Sequence, residues 1–423
     1  MTKLTAIWQP SKRKSLLDGA RLLSVAGQVP AYCISDHSMP MPMPMPMPMP
    51  MATTAGPRKA LPREFSIYLD LLRFGAALMV LLFHIKIFQV GPAAILKFIP
   101  NRGHDFVILF FVLSGYVIAS ATDRKRAKGL REFALDRMAR VYSVAVPLLV
   151  FCTFLELLFH GQTDPQQNWA DRISQPFVTL GLNLVFMGQS WWLHRMPFVN
   201  DAYWSLCYEV MYYAGFGVFM FMRGWPRALG LVVVAALAGP KVLLLLPCWL
   251  LGAAAYFWRD RWRPGRTMAV VAAFVVPVVI LLLLHALGFA PAMRSIMKGW
   301  FPVSYDALDF SNDFLVDYTA AALAAFHLYA VRYIGFNWPA RLGSIITAGA
   351  AMSFTLYLFH MPLLFLVMNG FGDQRSGLAS LLVAAVGIPL ACYGLSCVTE
   401  SRRAVVRLWI DRWLPRGQAR AVA

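Results

Sequence analysis

The sequence predicts an all-α polytopic membrane protein of about ten transmembrane helices with both termini cytoplasmic. Three observations carry that prediction. Hydrophobic residues make up 59% of the 423 residues and charged residues only 14%, against roughly 45–50% and 25% in soluble domains. Mean hydropathy is +0.57. From residue 66 onward, apolar runs suited to crossings of ~20 residues alternate with short loops that gather the basic side chains. A soluble fold would have too little polar surface to cover these runs. Disorder, a collagen helix and a disulfide scaffold are excluded by the same composition.

The net charge is +18, from 39 basic and 21 acidic residues. Its concentration in short loops is the pattern of cytoplasmic loops, and no interleaved basic and aromatic surface calls for nucleic acid. Cys33, Cys152, Cys207, Cys248, Cys392 and Cys397 have no paired spacing, and five lie in apolar runs. They read as small core residues, with no disulfide framework and no metal site.

Residues 1–60 stand apart as a low-complexity tail. Met39 to Pro50 is a run of Met-Pro pairs, in which proline removes donors and forbids helix, so the tail is expected to be extended or disordered. It has no apolar core of signal-peptide length, and Met51 offers an alternative start. The membrane domain is expected over 61–400 and a basic cytoplasmic tail over 401–423.

Within the domain the spans are expected near 66–88, 104–122, 142–160, 203–222, 228–239, 241–258, 267–287, 313–331, 344–368 and 377–398. The fifth is short for a crossing. A further apolar stretch, 176–190, contains Gly181, Asn183 and Gly188 and is either an eleventh span or re-entrant. The basic loop from Arg124 to Arg140 should be cytoplasmic. If 176–190 does not cross, the basic stretches 223–227, 259–266, 332–341 and the tail share that side, which favours ten spans. No self-similar period is visible, which weakens a transporter built from repeats.

Ionisable residues within apolar runs cost several kcal/mol unless paired or wet, so each marks a candidate site. The first span holds Asp70, Arg73 and His84. Asp70 and Arg73, three apart, can pair on one face. Arg73 and His84 share a face about 16 Å apart along the axis, Arg73 near the cytoplasmic surface and His84 in the outer half. That arrangement suits a long anionic substrate with its phosphates at the entrance and a thin arm reaching inward. Arg73 alone would read as a snorkelling or ion-paired helix end, and His84 alone equally as a packing residue. Glu209 in the fourth span, His360 just before Pro362 in the ninth, and His104 with Asp105 at the outer start of the second lie at depths that allow convergence with His84. Glu209 reads equally as a buried partner for a cation.

Arg73 and His84, then GHDFVILFFVLSGYVI, FALDRMARVY, AYWSLCYEVMYY and MSFTLYLFHMP, occur in an order that resembles the bacterial integral-membrane acyltransferase 3 family. The resemblance covers roughly 64–400 and rests on five separated motifs. It implies a ten-helix fold in the bacterial inner membrane and transfer of an acyl group, commonly acetyl, from acyl-CoA to a hydroxyl of a surface sugar or glycolipid. Arg73 and His84 match its arginine–histidine motif. Phe110, Phe111, Ser114 and Gly115 match FFxxSG, and Arg137 and Arg140 its paired arginines. Trp204, Ser205, Leu206, Glu209 and Tyr213 match its W-S-L-x-x-E segment, and Tyr357 and His360 its Y-L-x-H segment. The sequence departs from the family at Ile108 and Leu109, where an aspartate is usual, and at Glu400-Ser401-Arg402, where Glu-x-Pro is usual. A basic tail stands in place of an esterase-like domain, so the acceptor cannot be borrowed from relatives that carry one.

Read this way, His84 is the base or a transient acyl carrier, Glu209 or Asp70 orients polar partners, and His360 donates to the oxyanion or binds the acceptor. Arg73, Arg137 and Arg140 would hold the phosphates of coenzyme A, with Ser114 on the acyl path or simply packing helices. Trp204, Ser205, Tyr357 and His104 are expected to bind acceptor, although Trp204 equally suits an interfacial anchor. In the loop 288–312, Trp300, Tyr305, Asp306 and Asp309 read first as an ordinary outer loop. A proton-coupled transporter using Asp70, His84, Glu209 and His360 as a relay is the alternative, and a flippase-like or scaffolding partner a third reading.

Overall fold

The computed structural model describes residues 61–159, 175–301 and 304–413. The expected Met-Pro tail, Cys33 and the last ten residues lie outside them. The described residues are helical, with no strand among them. The helices are α1 (Arg63–Ile87), α2 (Gly103–Arg124), α3 (Gly129–Leu158), α4 (Pro176–Leu184), α5 (Trp204–Phe221), α6 (Gly224–Leu244), α7 (Leu246–Phe257), α8 (Arg266–Ala286), α9 (Phe289–Trp300), α10 (Phe314–Val331), α11 (Ala340–Phe371), α12 (378–398) and α13 (Arg403–Trp413).

Eight helical segments are long and apolar enough to cross a membrane. Each of the ten expected stretches falls on a helix. The fifth ends where expected: Gly239 takes a non-helical φ 77°, ψ 174°, which divides α6 into a stretch that ends before it and a short one from Pro240 to Leu244. A second boundary follows at Leu245, and the successor α7 has only 12 residues, which leaves it outside the eight. Helix α5 is the other one outside the eight, because Ser205, Glu209 and its tyrosines dilute its apolar character. Helix α3 starts at Gly129 rather than near 142, since its first turns are a polar extension carrying Arg131, Glu132, Asp136, Arg137 and Arg140.

The 176–190 stretch does not cross. Helix α4 has nine residues, about half of a ~30 Å hydrocarbon core at 1.5 Å per residue. The buried Asn183 amide donates to the carbonyls of Thr179 (2.8 Å) and Arg195 (2.9 Å), and Tyr203 donates to the carbonyl of Asn183 (2.9 Å), tying the returning loop to α4.

Helix α11 is the most buried and packs on α1 and α12, while α2 lies between α1 and α7. The α2–α7 contact is built on reciprocal glycines. A Cβ on Gly115 would collide with the carbonyl of Trp249, and one on Gly252 with the carbonyl of Val112. Small residues let helix backbones touch where lipid offers no hydrophobic drive for association.

Prolines inside helices release the carbonyl four residues back, and side chains from elsewhere in the chain take three of these up. Pro362 frees Leu358, whose carbonyl accepts from Asn200 Nδ2 at 2.9 Å. Pro277, beside a π turn at Val271–Val275, frees Ala273, which accepts from His327 Nδ1 at 2.8 Å. Pro240 frees Ala236, which accepts from Trp191 Nε1 at 2.7 Å. Cys152, Cys207, Cys248 and Cys392 are free and buried, and Cys397 is free and exposed.

Candidate active site

The sequence-derived residues fall into three adjoining groups. The first lines a narrow cavity, about 90 Å³, between α1, α2, α3, α5 and α11. Its walls include Arg73, Arg137 and Arg140 with Phe110, Phe111 and Ser114, and Ser205, Leu206, Glu209, Tyr213 and Tyr357. Arg73 pairs with Asp70 at 3.8 Å, as their spacing requires. Arg140 lies 4.0 Å from Glu400, the residue at the degenerate late motif. Two polar atoms here are buried with no hydrogen-bond partner among the described residues, Arg137 Nε and Glu400 Oε2. An unpaired guanidinium donor on a cavity wall fits an anionic ligand.

A directed chain of hydrogen bonds crosses this cavity. Trp249 Nε1 donates to Ser114 Oγ (3.1 Å), Ser114 and the Tyr213 hydroxyl share a bond (3.2 Å), and Tyr213 donates to Glu209 Oε1 (2.5 Å). Ser114 is therefore both a packing residue and a wall residue. Glu209 belongs with the arginines and Tyr213, and no direct bond joins it to the histidines.

The second group is His84 and His360, on α1 and α11, with His360 Nε2 3.2 Å from His84 Nδ1. His84 Nδ1 also lies 2.8 Å from the carbonyl of Val80, and His360 Nδ1 2.7 Å from the carbonyl of Tyr357. Carbonyl oxygens only accept, so both Nδ1 atoms carry hydrogen. His360 Nε2 must then accept from His84 Nδ1–H, and the neutral His84 keeps its lone pair on Nε2. His360, fully buried, is thus occupied as an acceptor and has no free N–H for an oxyanion. Pro362 frees the Leu358 carbonyl, and the Asn200 bond to it holds the turn of α11 that carries His360. Rings flank the pair on two sides. The Tyr357 ring, on the narrow cavity, is 6.0 Å from His360, and the Phe83 ring is 5.0 Å from His84.

The third group lines a wide cleft of about 1170 Å³ bounded by Phe83, the start of α2, α9 and the 306–320 region. His104 sits there, its Nε2 3.1 Å from the buried Asp317. Trp204 stacks on His104 (5.8 Å, 9°) and on Phe310 (4.5 Å, 4°). Trp204 is buried, so it is not an interfacial anchor. Asp306 and Asp309 also line the cleft, whereas Tyr305 is buried and donates to Asp313 at 3.0 Å. Burial and that carboxylate push the Tyr305 hydroxyl up to about 12. Depth alone therefore overstated convergence: His84 and His360 meet, His104 lies in the wide cleft, and Glu209 in the narrow cavity. Ser205 and Tyr357, expected at the acceptor, share a 2.7 Å hydrogen bond on the arginine side instead.

Lys241 was missed. It is buried at the α6 bend, with Nζ 2.9 Å from Gln189 Oε1, 2.8 Å from the carbonyl of Leu193 and 3.7 Å from Asp309. Asp309 also pairs with His194 and takes φ 54°, one residue before the stacked Phe310. A lone lysine after Gly-Pro within an apolar run was the available signal.

A family model described as an acyltransferase domain, acyltransferase 3, matches residues 66–396. The chain belongs to the acyltransferase 3 family. An O-acetyl transferase of Shigella phage Sf6 is 27% identical over 241 residues, 51% of this chain and 68% of that protein. No solved structure gives a significant match. The acyltransferase 3 match and the phage relative make this a multi-pass membrane O-acyltransferase, and the three groups of residues lie inside the matched region except Glu400.

Proposed function

We propose that the protein moves an acyl group, acetyl by default, from acyl-CoA in the narrow cavity to a hydroxyl of a sugar or glycolipid in the wide cleft, in the bacterial inner membrane. The observation that carries this reading is the gathering of Arg73, Arg137 and Arg140 on one narrow cavity whose wall includes Tyr357, a ring 6.0 Å from His360 of the histidine pair. Guanidinium groups match phosphate oxygens bidentately, and a narrow passage suits the thin thioester arm of coenzyme A better than its nucleotide. The wide cleft, with its stacked rings and carboxylates, suits a polyhydroxylated acceptor. The basic loops support a cytoplasmic position for the arginine side by the positive-inside rule.

In this reading His84 Nε2 removes the proton from the acceptor hydroxyl as its oxygen attacks the thioester carbonyl. The C–S bond breaks, and the proton passes from His84 to the departing coenzyme A thiolate. As His84 gains charge, its Nδ1–H donates to His360 Nε2 and to the carbonyl of Val80, which hold the ring and spread the charge. His360 is accordingly a positioning residue. Glu209 keeps Tyr213 and Ser114 aligned along the cavity wall.

Membranes containing the protein, given radiolabelled acetyl-CoA, test the proposal. The expected result is free coenzyme A with label in a glycan or glycolipid fraction. Unlabelled fractions with acetyl-CoA and with longer acyl-CoAs alike would overturn it.

A further inference from the structure

Helix α13 has two faces with different surroundings. Val406, Arg407, Ile410 and Asp411 turn toward the polar start of α3. There Ile410 packs on Leu135 and Ala139, Arg407 pairs with Glu132 (2.5 Å) and Asp136 (3.1 Å), and Arg131 pairs with Asp411 (2.6 Å). Val405, Leu408, Trp409, Arg412 and Trp413 recur at i, i+3, i+4, i+7 and i+8, which is a single opposite stripe. Nothing among the described residues covers that stripe: Val405 is 59% exposed, Leu408 65%, Trp409 60% and Trp413 75%.

The position of this stripe identifies what covers it. The span 378–398 ends at Val398, and Thr399 leaves helical geometry (φ −110°, ψ −88°). Only Thr399–Arg402 separate it from α13, so the helix starts less than ~20 Å from the end of a crossing segment. It lies at the end of the molecule that carries Arg137 and Arg140, since α3 bears both these arginines and the ion pairs to α13. Arg402, Arg403 and Arg412 are exposed around the apolar stripe. Two tryptophans, aliphatic side chains and a rim of arginines match the chemistry of an interfacial helix on an anionic membrane surface.

We propose that the exposed face of α13 docks on anionic lipid headgroups, with Trp409, Trp413, Leu408 and Val405 at the acyl boundary and Arg402, Arg403 and Arg412 on lipid phosphates. The other face, bolted to α3, then holds the helix that carries Arg137 and Arg140 at a fixed height against the bilayer. Glu400, in the link between span and anchor, lies beside Arg140 for the same reason.

The test uses the full chain in nanodiscs of phosphatidylcholine alone or mixed with phosphatidylglycerol, with hydrogen–deuterium exchange followed over residues 403–413. Each arginine near an anionic surface adds about 1 kcal/mol, so exchange is expected to slow about fivefold or more with phosphatidylglycerol. The triple variant Arg402→Gln, Arg403→Gln, Arg412→Gln should lose that lipid dependence while keeping the wild-type melting temperature. Equal exchange in both lipids, as a protein partner for this face would give, overturns the proposal. So does lipid dependence that survives in the triple variant.

Discussion

The guanidinium groups of Arg73, Arg137 and Arg140 sit inside a membrane domain where an unused charge is costly, and only part of that cost is offset within the chain. Asp70 and Glu400 balance Arg73 and Arg140 at 3.8 and 4.0 Å, distances of loose ion pairs rather than direct hydrogen bonds. Arg137 Nε has no partner among the described residues. If these groups hold donor phosphates as proposed, Arg137→Ala should raise KM for acetyl-CoA about tenfold or more, the ~1.5–3 kcal/mol of a charged hydrogen bond, with kcat nearly unchanged. Initial rates at varied acetyl-CoA measure this, and an equal fall in kcat at unchanged KM would contradict it. At this scale the sequence was legible wherever spacing forces contact. The i, i+3 pair Asp70–Arg73 is an example. It was not legible where partners come from elsewhere in the chain, as for Ser114, which meets Tyr213 and Trp249, or for Lys241, which meets Gln189, Leu193 and Asp309.

Helix packing explains why several motif residues are what they are. Gly115 and Gly252 bring α2 and α7 to backbone contact, and the same approach delivers Trp249 Nε1 to Ser114. Gly115→Val should therefore destabilise the protein by roughly 1–3 kcal/mol. Gly75→Ala on α1, where an added Cβ has nothing within 4 Å, should leave the melting temperature unchanged or raise it slightly. Thermal unfolding in detergent distinguishes the two, and equal shifts would contradict the packing argument. Helix existence was readable from apolar runs because a spanning segment needs little beyond length and hydropathy. The break expected at residue 240 is present at Gly239, while the second one at Leu245 carries no glycine or proline of its own to mark it; Trp191 takes up the Ala236 carbonyl freed at the first. Nothing local marks Asn200 as the residue that takes up the Leu358 carbonyl freed by Pro362.

At the scale of the molecule, Tyr357 on the wall of a narrow cavity with three arginines approaches His360, and Phe83 on the wall of a wide cleft approaches His84. Depth along each helix is readable from sequence, but rotation about the helix axis is not. That is why His84 and His360 were placed together correctly while Glu209 and His104 were not. The proposed reaction depends on His84 as the base. The most direct measurement compares wild type and His84→Ala, both purified, for acetyl-CoA affinity and for turnover on the acceptor fraction that labelling identifies. Loss of a general base should cost turnover ~10²–10⁴-fold with acetyl-CoA binding intact, whereas turnover within a few-fold of wild type would remove His84 from the chemistry.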